Sequence, residues 1–199
     1  MRVSGVKKGQ AGILAEGHPI HTLMEEHSII LESASKLLLA AENLKNARGA
    51  GTVEKLMENL DHILDHLKEA ERHYLREENV LFPHLEKHGI TGPPAQMRSE
   101  HNEIRTIEKN LYALADQEHP WSPGSLQHEL WELVTGLSGK LETHFTKENT
   151  VIFPMSLKAV GPEEWDDIVR ECDEIGYSIF IPANIRKAID ARKRAGGES

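Results

Sequence analysis

A single cysteine, Cys172, stands in a chain of 199 residues, which excludes an intramolecular disulfide, a CxxC redox pair and a cysteine-based zinc site. That usage points to a reducing compartment. Nowhere does the sequence approach the ~20 consecutive apolar residues that span a bilayer. The opening stretch MRVSGVKKGQAGILAEG carries two lysines but no apolar run of signal-peptide length. Positive charge is short as well: 23 Lys and Arg stand against 32 Asp and Glu, a net charge of -9. Nucleic acid and anionic membranes both need concentrated positive charge, so neither is an expected partner. No strand-like alternation of useful length appears either. The expectation is a soluble, cytoplasmic protein, and 39% hydrophobic residues suffice for one core with no room for a second full domain.

Histidine is the residue in excess, with twelve copies. It is the commonest metal ligand, yet solvated histidines would give the same count, so position has to decide.

Four amphipathic helices account for most of the chain. From His18 to about Asn46, Ile20, Leu23, Met24, Ile30, Leu31, Ala34, Leu37, Leu38 and Ala41 recur at three- and four-residue spacing, with Pro19 suited to a first turn. Thr52 is a fitting N-cap for a second helix to about Lys87, whose last turn Pro83 should kink or tighten. The run His88-Gly-Ile-Thr-Gly-Pro-Pro stops that helix and opens a third, from about Pro94 to Ala115, with Met97, His101, Ile104, Glu108 and Leu111 on its buried stripe. Ser122 and Pro123 are a cap and first position for a fourth helix to about Lys158. Short connections make neighbours antiparallel, so the expected fold is all-α, an up-down-up-down four-helix bundle. It divides as an N-terminal segment (1–17), the bundle (18–160) and a C-terminal helical extension and tail (161–199).

Inside the bundle lies a repeat. His73-Tyr-Leu-Arg-Glu77 and His144-Phe-Thr-Lys-Glu148 share a four-residue His-to-Glu step, and each reaches a Phe-Pro pair ending ten residues after its histidine. An aromatic follows each histidine and a basic residue precedes each glutamate. Upstream, Glu26-His27 on the first helix matches Glu100-His101 on the third. Each HxxxE sets an imidazole and a carboxylate one turn apart on one helical face. His27 and His101 take the place of apolar residues in their stripes.

A lone histidine on an apolar face is more often core than ligand, and an isolated HxxxE arises by chance; six members at repeated spacing are another matter. Burying them unpartnered would cost several kcal/mol, and a dinuclear centre of His27, His73, Glu77, His101, His144 and Glu148 satisfies them all. Imidazole and carboxylate without thiolate suit iron, manganese or zinc, and two bridging glutamates suit iron or manganese best. Two histidines per ion leave coordination positions open for O2, NO or peroxide. Glu26 and Glu100 read as solvated flank charges, and Tyr74, Phe82, Phe145 and Phe153 as core that shields the centre.

These residues resemble the hemerythrin-like, HHE cation-binding family: His on the first helix, HxxxE on the second, His on the third and HxxxE or HxxxD on the fourth. The match covers about residues 18–160. GHPIHTLMEEH, KHGITGPP and EWDDIVRECDEIGYSIF are similar to the prokaryotic subgroup often joined to a PAS sensor domain. The resemblance implies a hemerythrin-like bundle with two iron ions per chain, oxo- or carboxylate-bridged, held by the same six residues, with manganese and zinc ranking behind iron. Oxygen-carrying hemerythrins add a histidine one turn after the third-helix one. Arg105 holds that place here, so the four-histidine, two-carboxylate set is closer to di-iron proteins of nitric-oxide response and iron–sulfur repair. His18, His21, His62 and His66 are placed too far along their helices to ligate, and are read as an access route, support or surface.

The function so implied is non-haem di-iron binding of O2 or NO for sensing, carriage or scavenging. The alternatives are a di-iron oxidoreductase, against which the lack of an evident further acid or base weighs, and a regulatory bundle. In the last case a protein partner would meet the extension around Trp165 and IleGlyTyrSerIlePheIlePro.

Overall fold

The structure is a computed structural model that describes residues 14–47, 49–115 and 125–196. The expected cap at Ser122 and Pro123 lies outside them. The described residues are helical, with no strand.

α1 (Pro19–Asn46) begins where the sequence places it: His18 Nδ1 accepts the Ile20 N–H at 3.2 Å, and Pro19 takes a position where no N–H is missed. The second rod joins α2 (Ala50–Lys68), α3 (Ala70–Arg76), a π turn (Glu77–Leu81) and α4 (Phe82–Lys87). Its start corrects the Thr52 expectation. Gly49, at φ 88°, turns the chain into the helix earlier than a side-chain cap would, and Thr52 falls within the first turn.

Pro83 does not tighten the rod either; the turn before it widens. Phe82 N–H bonds to the Glu77 carbonyl, five residues back. Proline has no N–H to give, and its ring crowds the carbonyl one turn earlier, so a wider turn relieves both. The repeat does the same. α6 (Ser125–Lys147) passes through a π turn (Glu148–Ile152) into α7 (Phe153–Ala159), with Phe153 N–H on the Glu148 carbonyl and Pro154 next. Between the two rods α5 runs from Gly92 to Ala115, two residues earlier than expected, with both prolines in its first turn.

Cross-links fix the directions. Glu26 meets His73 while Ser33 and His66 line one void; Glu78 meets His101 while Arg105 meets Glu71; Glu100 meets Lys147 while Glu103 meets Lys140; His27 meets Asn149 while Leu44 meets Gln127. Sequence numbers rise on one helix as they fall on its neighbour in all four pairs, which is the up-down-up-down bundle.

Two apolar clusters fill the interior. One gathers Leu37, Leu44, Leu60, Leu67, Leu111, Leu137 and Leu141 toward the far end; the other packs Ile20, Leu81, Phe82, Leu85, Ile152 and Phe153. The ionisable residues of the repeat sit between them. The C-terminal extension folds back on the bundle. α8 (Pro162–Ile175) buries Ile168 and Cys172 against Val80 and Val160, and α9 (Ala183–Gly196) gathers Ile185 and Ile189 with Ile181 beside Tyr177. Arg192 ties α9 to the Gly17 carbonyl at 2.8 Å. Cys172 is buried in this seam, and burial pushes its thiol up to about 12. No described helix is long and apolar enough to cross a membrane.

Candidate metal centre

His27 on α1, His73 on α3, His101 on α5 and His144 on α6 point to one place in the bundle, and each π turn opens with a glutamate, Glu77 or Glu148, aimed at it. All six are at most 2% exposed. Two donor groups result. His27, His73, Glu77 and Glu148 offer ligand atoms within 4.8 Å of one another, and so do Glu77, His101, His144 and Glu148. Both glutamates belong to both groups. Glu77 Oε2 lies 3.4 Å from His73 Nε2 and 3.3 Å from His101 Nε2. Glu148 reaches His27 Nε2 at 3.1 Å with one oxygen and His144 Nε2 at 2.8 Å with the other.

Despite these approaches, both oxygens of Glu77 and of Glu148, and Nε2 of His101 and of His144, are buried without a hydrogen-bond partner. Such groups cost about 1–3 kcal/mol each in an interior that offers them nothing. They share a single focus, so cations at that focus would satisfy them together, and an imidazole-carboxylate donor set fits a metal of intermediate softness. Burial opposes a charge on His101, but Glu148, Glu77 and Glu78 around the ring raise its pKa to about 11.

The opposite ring nitrogen of each histidine is held by a neighbouring helix. His73 Nδ1 donates to Glu26 at 3.1 Å, His101 Nδ1 to Glu78 at 2.7 Å, His144 Nδ1 to Glu100 at 3.0 Å and His27 Nδ1 to Asn149 at 3.2 Å. With Nδ1 fixed, Nε2 is left to face the centre, which sets tautomer and ring orientation before any ion arrives. The partners run round the bundle, each helix steadying the histidine of another: α1 serves α3, the first π turn serves α5, α5 serves α6, and the second π turn serves α1.

Glu26 and Glu100 are therefore not solvated flank charges. Glu26 is buried, and Glu100 has a side chain 13% exposed. Burial alone would raise the Glu26 carboxyl, but Arg76 and His73 bring it down to about 2. Lys147 and His144 do the same for Glu100, as His101 and Arg105 do for Glu78. Nothing in the sequence pattern singled out Glu78 and Asn149, although the repeat aligns them, each just after the glutamate of its HxxxE. Arg105, where a further histidine might have stood, pairs with Glu71 at 2.9 Å and Glu78 at 2.8 Å.

Aromatic rings wall the centre. Phe145 stacks on His27 at 4.0 Å, with Phe153 on that ring at 5.3 Å; Tyr74 lies 4.7 Å from His101 and Phe82 6.0 Å. Tyr74 also points its hydroxyl at Glu108 Oε1, 3.5 Å away. Glu108 is 6% exposed, and burial, reinforced by Glu71, raises its carboxyl to about 7. A proton-holding group thus stands behind the His101 ring, on a stripe position that the helical periodicity had marked as buried. The four remote histidines are not in either donor group. His18 caps α1 and packs on Trp165 at 4.6 Å, His21 is 3.9 Å from Glu25, His66 stacks on Phe180 at 3.6 Å and His62 is exposed.

What the arrangement can do is hold cations between four helices, among buried donors walled by aromatic rings. No curated protein matches the chain. The family description "Hemerythrin HHE cation binding domain" matches residues 18–156, which span all four long helical segments and every residue of the two donor groups. The chain belongs to the hemerythrin HHE cation-binding family.

Proposed function

We propose that the chain is a non-haem di-iron protein that binds O2 or NO for sensing, carriage or scavenging. Its ligands are His27, His73, Glu77, His101, His144 and Glu148. The observation that carries this reading is the pair of donor groups sharing both glutamates, whose four oxygens have no other partner. Shared carboxylates suit two like ions, and the absence of sulfur donors from the groups favours iron or manganese over softer metals. Iron in such a site supplies open positions for a diatomic gas and reversible one-electron chemistry. The protein's part is to present four Nε2 atoms in fixed directions and to exclude bulk water with Phe82, Phe145 and Phe153.

One observation favours a second reading, a di-iron oxidoreductase. Reduction of O2, peroxide or NO consumes protons, and Glu108 with Tyr74 forms a proton-holding pair between the His101 ring and a surface groove lined by Lys68, Glu71, Arg105 and Lys109. Multiple turnovers with a reductant would separate it from simple binding.

Metal analysis of anaerobically purified protein, with absorption spectra before and after air, tests the main reading. About two irons per chain and new near-ultraviolet and visible bands are expected; no metal, or one zinc, would reject it. His73→Ala and Glu148→Ala should each lower iron content and thermal stability together, because bound metal stabilises the fold by mass action. Unchanged metal content in both variants would reject the ligand assignment.

A further inference from the structure

The repeat places a basic residue just before each ligand glutamate, Arg76 before Glu77 and Lys147 before Glu148. Each pairs with the carboxylate that holds the histidine of its own helix: Arg76 with Glu26 behind His73, Lys147 with Glu100 behind His144. There the likeness ends. The Lys147 side chain is 38% exposed, whereas that of Arg76 is 1% exposed. Arg76 Nη1 donates to the Gly176 carbonyl at 3.1 Å, and its guanidinium lies 4.7 Å from the Tyr177 ring.

Gly176 and Tyr177 open a strap, residues 176–180, that runs back along the second rod. Arg72 donates to the Tyr177 carbonyl at 3.0 Å, Glu69 accepts the Ile179 N–H at 3.2 Å, and His66 stacks on Phe180 at 3.6 Å. Residues 66, 69, 72 and 76 recur at roughly helical spacing, so one face of the rod carries the whole strap. Under Ser178 is a small void of ≈ 10 Å³ lined by Glu26, Ser33, His66 and His73 among others. The strap is thus the cover on the His73 side of the centre, and Glu26 Oε1 beneath it has no hydrogen-bond partner.

We propose that Arg76 is a positioning residue that couples the His73 corner of the metal centre to the Gly176–Phe180 strap, because one guanidinium fixes the carboxylate that orients His73 and clasps the strap that covers it. The coupling rests on the metal-centre reading above. Loading the centre adds a second hold on His73, at Nε2, to the one Glu26 already has on Nδ1, which steadies Glu26, then Arg76, and tightens the strap; a loosened strap loosens the hold on His73. Lys147 has no such role in the other half, since its side chain is partly exposed with its ammonium on Glu100, and α8 packs against α3, the first π turn and α1. The duplicated scaffold has been made one-sided, and the strap is the part of the surface that reports on metal at the centre.

Hydrogen–deuterium exchange on the full chain, metal-free and loaded with Co(II), tests this, with cobalt counted separately and its absorption bands recorded. Loading of the wild-type chain should slow exchange at residues 177–181 about tenfold, with little change at 185–189. Arg76→Lys keeps a cation on Glu26, as Lys147 does on Glu100. It should load as much cobalt with shifted bands, while its strap exchanges equally fast loaded or empty. Should that variant fail to fold, Arg72→Ala loosens the strap from outside, at a side chain 46% exposed, and should shift the cobalt bands at unchanged metal content. Metal-dependent protection that survives Arg76→Lys, or cobalt bands untouched by Arg72→Ala, overturns the coupling. A wild-type chain that takes up no cobalt defeats the metal-centre reading itself, and the separate metal count tells that failure from the other.

Discussion

Glu26 and Glu108 show how the same side chain, buried in both places, is driven in opposite directions by its neighbours. Glu26 has Arg76 and His73 against it and is held near 2; Glu108 has burial and Glu71 and is raised to about 7 from 4.5. The signs for stability follow. The folded chain keeps the Glu108 proton up to about pH 7, whereas the unfolded chain loses it near 4.5, so stability falls as pH rises through that window and is level above it. The loss across the full window is about 3 kcal/mol. Glu108→Gln should remove it, and the variant's melting temperature should gain about 5 °C on wild type between pH 5 and 7.5; a constant difference across that range would count against a buried, protonated Glu108. Glu26 contributes in the other sense, its stabilisation being lost as pH falls from 4.5 toward 2. The six residues of the two donor groups were legible because an inward histidine interrupts an apolar stripe and an i,i+4 pair shares one face. Glu26 and Glu100 were misread because each sits about 100° round the helix from its histidine, where a charge reads as flank, and their partners are on other helices.

At the scale of elements, helix existence was legible from 3.6-residue periodicity, and helix ends less so. Gly49 displaced Thr52 as a start because glycine can take the positive φ of the turn into α2, which no capping side chain signals, and the π turns depend on a backbone bond that no pattern of side chains reports. Pro83 and Pro154 were the visible sign of them; what was misjudged is that a helix meets a missing N–H by widening. Both turns start at a glutamate of the two donor groups, so the proline that disturbs the helix also opens the turn from which a carboxylate reaches the centre. Where α8 ends, Gly176 adopts φ 85° and ψ -176°, a region that is nearly closed to residues with a Cβ. A Cβ there would be 3.7 Å from Arg72 Nη1, ordinary contact, so the penalty of Gly176→Ala is backbone strain alone. We expect a loss of about 1–3 kcal/mol, read as a melting temperature lower by several degrees. A variant as stable as wild type would mean that the strap relaxes into another path.

For the whole molecule, the buried charges make folding and metal binding one equilibrium. Two apolar clusters flank a layer of six ionisable side chains, so the middle of the bundle gains little until cations neutralise that layer. Stripping metal with a chelator should lower the melting temperature by about 5–10 °C per site when free metal stands near 100 times its dissociation constant. Calorimetry with and without chelator measures this, and coincident transitions would show that the layer is stable without cations. The overall architecture was legible because loops are short and the helices long. The packing of the extension was not, since nothing in EWDDIVRECDEIGYSIF says which rod it lies on, and it is that choice which buries Arg76.

Seen as a matter of ancestry, the ring of partners that passes from helix to helix leaves neither half self-sufficient. Residues 14–91 bring His27, His73, Glu77 and the carboxylates of Glu26 and Glu78, but His27 takes its support from Asn149 and Glu78 gives its own to His101. A lone half therefore ends in one unsupported histidine and one unused carboxylate, and these complement each other in a second copy. An ancestor with one repeat would have been a symmetric pair, and fusion into one chain freed its halves to diverge. The two halves expressed apart should bind metal well only when mixed or when self-paired; a half that holds metal as a monomer would refute that history.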